Sequence, residues 1–216
     1  EMIEAAIERQ YEFICITDHS RSLAVANGLS IERLLEQNEK IKKLNESYKE
    51  IDIYSGTEMD IKPDGSLDYP DDVLKELDYV IAAIHQSFNQ SEEEIMNRLR
   101  TACENQYVRH IAHPTGRIIG RREGYRPNID ELIKMARETN TVLELNANPQ
   151  RLDLNADVLK NNPDLMITIN TDAHHIDHFD FMKYGVGTAQ KGWVKKSQVI
   201  NAKSREAFKK WIQSTK

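Results

Sequence analysis

Six short apolar runs, each closed by a polar turn and separated from the next by a segment of helical spacing, leave this chain few folds to choose from. The runs lie at 13–17, 51–58, 79–84, 107–112, 141–146 and 165–170. Their lengths suit buried strands, and helical patterns fall between them at 30–48, from about 70, 91–104, 128–138 and around 156–160. Strand alternating with helix implies parallel strands joined by helical crossovers, in an open doubly wound sheet or in a barrel. No run approaches the ~20 apolar residues of a membrane helix, so no membrane partner is expected.

Local signals sharpen the boundaries. Ser91 with Glu94 and Asn128 with Glu131 read as capping boxes that open two of the helices. Pro63-Asp-Gly65 marks a turn. A helix is expected around 179–183, and a last one over 205–213 with Phe208, Trp211 and Ile212 as its apolar face. Nothing resembling a linker divides the 216 residues, which read as a single α/β domain over 1–216. The opening helix at 2–10 should follow a strand, so the first strand of the series is expected before Glu1 and the chain is read as part of something longer.

The ends of the runs carry the chemistry. Asp18 and His19, Glu58, His85, His113, and the pair Asp172 and His174 close five separate runs. Parallel α/β folds build their sites at the carboxyl ends of strands, so these side chains should converge. Carboxylate and imidazole donors together suit divalent metals acting as Lewis acids and water activators. Asp172 and His174, two residues apart, are expected on one side of their strand end.

Each residue also has a plainer reading. A lone histidine is more often a hydrogen-bonded core or surface residue than a ligand. His110 has the opposite strand parity from His113 and is assigned to that plainer class, and His175 and His178 to the polar surface. Asp18 is expected to orient an adjacent imidazole from behind the ligands. Glu144 and Asn146 share a strand end and are read as positioning substrate. Cys15 and Cys103 read as reduced core thiols, which fits a reducing, cytoplasmic compartment.

A loop directly after His113-Pro114, Gly116-Arg-Ile-Ile-Gly-Arg-Arg-Glu-Gly-Tyr-Arg126, holds four arginines and three glycines. Guanidinium groups bind phosphate through paired hydrogen bonds, so Arg117, Arg121 and Arg122 are candidate substrate contacts. The plainer alternative is a solvated loop whose arginines pair with acids. A net charge of −6 argues against a protein that coats nucleic acid over its whole surface. Any such contact has to come from a local basic patch of this kind. No Walker-type loop, Gly-x-Ser-x-Gly elbow or dinucleotide fingerprint is present.

Ile16-Thr-Asp-His-Ser20, Gly56-Thr-Glu58, Ala83-Ala-Ile-His85, Ala112-His-Pro114 and Thr171-Asp-Ala-His174 resemble, in order and spacing, the motifs of the PHP (polymerase and histidinol phosphatase) superfamily. Stretches 17–28, 116–125 and 144–153 resemble most the C-terminal PHP domain of bacterial family X DNA polymerases. The resemblance implies a distorted (βα)7 barrel with up to three divalent metals, manganese or zinc, at the strand ends. It also implies roles. Glu58 would bridge two metals, His85 and His113 would complete one of them, Asp172 would bind the other, and His19 with His174 would hold a third. The family's first motif, a His-x-His pair, is expected before Glu1, so fewer metals and weakened activity are expected of this fragment.

By the same resemblance the expected activity is metal-dependent phosphodiester hydrolysis: a 3′–5′ exonuclease acting on single-stranded 3′ ends of DNA in repair, with a polymerase module upstream in cis. The metals and the arginine loop would stabilise developing charge. Two other readings stand beside it. One is a small-molecule phosphatase resembling histidinol phosphatase, and the other a non-catalytic module that supports the polymerase.

Overall fold

The computed structural model describes residues 1–214. Six strands, β1 (Phe13–Ile16), β2 (Asp52–Asp60), β3 (Tyr79–Ala83), β4 (Val108–Ile111), β5 (Val142–Asn146) and β6 (Ile167–Asn170), form one sheet in the order β1-β2-β3-β4-β5-β6. Each neighbouring pair is parallel. Sequential order throughout means that the chain never reverses its direction of growth, so the sheet has no topological switch point and curls as a half-barrel. Seven strands were implied by the family resemblance; the described residues contribute six.

Helices fill the crossovers: α1 (Met2–Glu8), α2 (Ile31–Ser47), α3 (Asp71–Leu74), α4 (Glu92–Glu104), α5 (Ile129–Glu138), α6 (Ala156–Asn161), α7 (Met182–Lys191) and α8 (Arg205–Gln213). Short polar side chains start five of them, α2, α4, α5, α6 and α8, by accepting orphan backbone N–H groups. Ser30 caps α2, and Ser91 with Glu94 forms the reciprocal box on α4. Asn128 accepts the Glu131 N–H, but the Glu131 carboxylate pairs with Arg100 at 2.7 Å, so only half of that expected box forms. The helix expected around 179–183 is instead a 3-10 segment over Ile176–Phe181 that leads into the longer α7.

Alternating side chains give the sheet an outward and an inward face, each with its own packing. Outward-facing Met59, Ile61, Val80, Ala82, Leu143 and Ile167 pack against helix residues such as Ile95, Leu99, Leu132 and Leu159. Inward-facing Tyr54, Tyr79, Ile81, Ala83, Ala112 and Val142 cluster with Phe208 and Ile212 of α8. Phe208 stacks on Phe13 at 4.0 Å and meets Tyr54 edge-on at 5.4 Å. Burying a side chain of this size stabilises the fold by about 1.5–3 kcal/mol. The amino ends of the strands are thus packed with rings, and the carboxyl ends stay open for polar side chains.

His110 belongs to this interior. It pairs in register with Ile81 and is fully buried, its Nε2 3.0 Å from Thr168 Oγ1. The parity argument that set it apart from His113 fails because the chain leaves strand geometry at His113, whose φ is +29°. That turn brings both rings to the inside, His110 as a core residue below the site. Burial lowers the His110 imidazole to about 3. The native state therefore holds it neutral while the unfolded chain takes up a proton below its ordinary value of 6.5. Stability from this group is complete above pH 6.5 and is lost as pH falls toward 3, by about 1.4 kcal/mol per pH unit. Urea unfolding between pH 7 and pH 4 should show a shallower acid loss for His110→Gln than for the wild type, by about one proton; identical slopes would contradict this assignment.

Candidate metal centre

Glu58 sits two residues before the end of β2, facing inward with Tyr54 and Gly56 below it. The glycine has a steric reason. A Cβ at Gly56 would lie 2.3 Å from the Tyr79 carbonyl oxygen and 3.0 Å from Thr17 Cγ2, so any side chain would wedge β2 away from its neighbours. Parallel pairing then aligns the ends: Glu58 stands opposite Ile81, bridges to His19 and donates its backbone N–H to the Asp18 carbonyl at 3.0 Å. His85 follows β3 by two residues and His113 follows β4 by two.

The side chains meet at the Glu58 carboxylate, which is buried. Its Oε1 lies 3.0 Å from His85 Nε2 and 2.9 Å from His113 Nε2, and its Oε2 lies 3.6 Å from His19 Nδ1. Burial by itself would raise this carboxyl, but the hydrogen bonds and charges of His113 and His85 outweigh it and hold Glu58 well below the usual carboxylate range. His85 behaves as the converse. Burial would lower it, yet the bonds to Asp60 and Glu58 raise it to about 9. Burial lowers His19, with Glu58 opposing.

These residues fit a metal. The ligand atoms of His19, Glu58 and His85 all lie within 4.8 Å of one another. His19 Nδ1 is buried without a hydrogen-bond partner, 3.6 Å from Glu58 Oε2. That separation is too long for a hydrogen bond. It is close to the roughly 3.4 Å between two donors that share one tetrahedral ion at about 2.0–2.1 Å. The mixed nitrogen and oxygen set is one that zinc, manganese or iron accepts.

Asp172 and His174 lie at the same end but differ in setting. Asp172 adopts φ +53° beyond the end of β6 and is half-buried, its Oδ2 3.4 Å from Arg151 Nε and 3.1 Å from Asn146 Nδ2. His174 is 62% exposed, with its ring 5.9 Å from that of His19. A cavity of about 580 Å³ connects the group, lined by His19, Glu58, His113, Asp172 and His174, and reaches past Ile81 to Tyr79, Phe13 and Phe208.

Several supporting residues stand differently from the expectations. Asp18 is exposed and directs its carboxylate to Gln37 Nε2 at 2.7 Å rather than to an imidazole. The imidazole is steadied instead by Asp60, whose Oδ1 is 3.0 Å from His85 Nδ1 and leaves Nε2 to face Glu58. Asp60 shares strand parity with Glu58, and that was its one signal in the sequence. Glu144 and Asn146 act on the scaffold. Glu144 Oε2 accepts the His113 N–H at 2.6 Å, and Asn146 spans Glu144 and Asp172. Burial, then the Asp172 charge, raises the Glu144 carboxyl to about 8. Cys15 remains an inward core thiol that burial pushes up.

The arginine loop is ordered by its own backbone. Ile118 and Arg122 bridge, and Ile119 N–H donates to the Gln150 carbonyl at 2.7 Å. Arg117 is taken up by the carbonyls of Arg151 and Leu152. Arg122 donates to the Gly116 carbonyl and lies 4.2 Å over the Phe88 ring. Arg121 stands exposed at the tip. The guanidinium beside the centre is Arg151, which the sequence reading did not single out. Its Nε pairs with Asp172, and its Nη1 is buried without a hydrogen-bond partner.

Comparison with known proteins finds relatives at the level of sequence. The sequence model of a family described as "PHP domain" matches residues 1–148. The DNA polymerase/3′-5′ exonuclease PolX of Bacillus subtilis (strain 168) is 55% identical over 215 residues, 97% of this chain and 38% of that protein. A probable phosphatase of Thermoanaerobacter sp. (strain X514) is 29% identical over 150 residues, 68% of this chain and 56% of its own length. One from Clostridium novyi (strain NT) is 33% identical over 88 residues, 38% of this chain and 32% of that protein. The chain thus spans well under two thirds of each of these relatives.

The bond from Asp60 to His85 is the kind of outer contact whose loss costs about 10–100-fold in metal affinity. Titration calorimetry with zinc or manganese should show that decrease for Asp60→Asn; affinity equal to wild type would remove Asp60 from the centre.

Proposed function

We propose a function from the premise that this chain belongs to the PHP domain family: it is the phosphoesterase domain of a family X DNA polymerase and hydrolyses DNA phosphodiesters from 3′ ends. The observation that carries this reading is the buried Glu58 carboxylate shared by imidazoles from neighbouring strand ends, with the Arg151 guanidinium held nearby through Asp172. The likeness to a protein named as a polymerase and 3′-5′ exonuclease supports the nucleic-acid substrate and a polymerase module in cis.

His19, Glu58 and His85 would hold one divalent ion, manganese or zinc. Glu58 would extend to a second with His113 or Asp172, and His174 would complete the site on the His19 side. Bound metal would supply Lewis-acid polarisation of a phosphoryl oxygen and a lowered pKa for water. The chain supplies the geometry. Asp60 fixes the tautomer and plane of His85, while Glu144 and Asn146 fix the His113 backbone and Asp172. Arg151, with an unpartnered buried Nη1, is the group suited to donate to a non-bridging phosphate oxygen. Arg121 at the loop tip would contact the strand farther along.

A second reading has its own support. Relatives named as probable phosphatases match parts of this sequence, and on that reading the centre would act on a small phosphomonoester. Incubation with a 5′-labelled single-stranded oligonucleotide and manganese separates the two. The proposal predicts products shortened stepwise from the 3′ end, abolished by chelator and reduced to background in Glu58→Gln. An intact oligonucleotide alongside chelator-sensitive release of phosphate from glycerol phosphate would transfer the assignment to the phosphatase.

A further inference from the structure

Beyond the metal centre, the 174–186 segment carries a feature that phosphoester hydrolysis does not require. The His174 N–H donates to His178 Nδ1 at 3.2 Å, which ties the His178 ring to the loop that carries the candidate ligands. His178 then stacks on Phe181, with centroids 4.8 Å apart and planes within 19°. Phe181 leans on Tyr184 at 6.4 Å, and the Lys183 ammonium lies 5.1 Å from the Tyr184 ring. Three rings therefore run from the edge of the metal loop out to solvent.

Folding explains only the inner part of this row. Helix α7 seats against the sheet through Gly185, where a Cβ would meet Ile169 and Ala147 at 2.5 and 2.7 Å, and through buried Ala189. Phe181 and Met182 pack against the main core. Tyr184 and Val186 do not: they are 44% and 40% exposed. An exposed tyrosine continuing an aromatic row, with a lysine beside it, has the makeup of surfaces that hold single-stranded nucleic acid. There, rings take base faces and the ammonium takes a phosphate.

We infer that His178, Phe181 and Tyr184 form a stacking platform for nucleobases of a single-stranded DNA whose phosphodiester lies at the Glu58 centre, with Tyr184 as the exposed contact. This rests on the phosphodiesterase reading and deepens it, because a small phosphomonoester has no base to reach the row. The two steps of 4.8 and 6.4 Å carry the row away from the loop that holds His174 and out to the exposed Tyr184. Lys183, its ammonium 5.1 Å from the Tyr184 ring, supplies a positive charge for the backbone of that strand in a protein whose net charge of −6 otherwise repels it. The platform would make the site select nucleic acid over the small substrates that the same metals can serve.

The test uses the whole chain in calcium with an oligonucleotide carrying 2-aminopurine near its 3′ end, read by fluorescence quenching and by anisotropy. Wild type should quench the base on binding. Tyr184→Ala should lose most of the quenching and bind about tenfold more weakly, while Tyr184→Phe should restore both. Removing the terminal bases as abasic sites should weaken wild-type binding to the level of Tyr184→Ala and leave Tyr184→Ala little changed. Binding by wild type with the same quenching and affinity in Tyr184→Ala would overturn the platform and leave the phosphodiesterase reading standing. An oligonucleotide that does not bind wild type at all would overturn both.

Discussion

A carboxylate removed from water is costly unless positive or proton-donating groups surround it, and the architecture of the open end of this half-barrel follows from how Glu58 meets that condition. Imidazoles from the ends of β3 and β4 share its Oε1, and the His19 ring from the end of β1 faces its Oε2. The neighbouring details serve the same cluster. Gly56 lets β2 lie close enough to its neighbours, Asp60 turns the His85 ring, and Glu144 accepts the His113 N–H. A metal would replace protons in this cluster, since imidazole ligands bind as neutral rings.

The fold supplies the convergence without further devices. Parallel strands in sequential order bring all their carboxyl ends to one side, and alternation turns every second side chain inward. Rings from α8 fill the opposite end, where Phe208 meets Phe13, Tyr54 and Tyr79. Stability and chemistry are thereby separated along the barrel axis, in the pattern expected of parallel α/β barrels.

Much of this was legible in the residues. Apolar runs ending in Asp, Glu or His located the strands and most of the site, because strand ends and polarity change together. The misses have physical reasons. β2 continues through Met59 to Asp60, so the first acid did not mark its end. His113 escapes parity through a positive φ, which alternation cannot anticipate. Composition announced an arginine-rich loop but not that backbone carbonyls would take up Arg117. Arg151 reaches the site because one loop docks on another through the Ile119–Gln150 hydrogen bond, a non-local contact without a sequence signature. His178, read as polar surface, is fixed by stacking on Phe181.

The central claim is that Glu58 and the surrounding imidazoles are a metal site and not simply a buried hydrogen-bond cluster. Anomalous diffraction from crystals of the chain soaked in manganese or zinc tests it directly. A peak is expected within about 2.0–2.3 Å of the Glu58 carboxylate and of ring nitrogens of His19 and His85. A map with no peak there, and with Glu58 still bonded to His85 and His113, would contradict it.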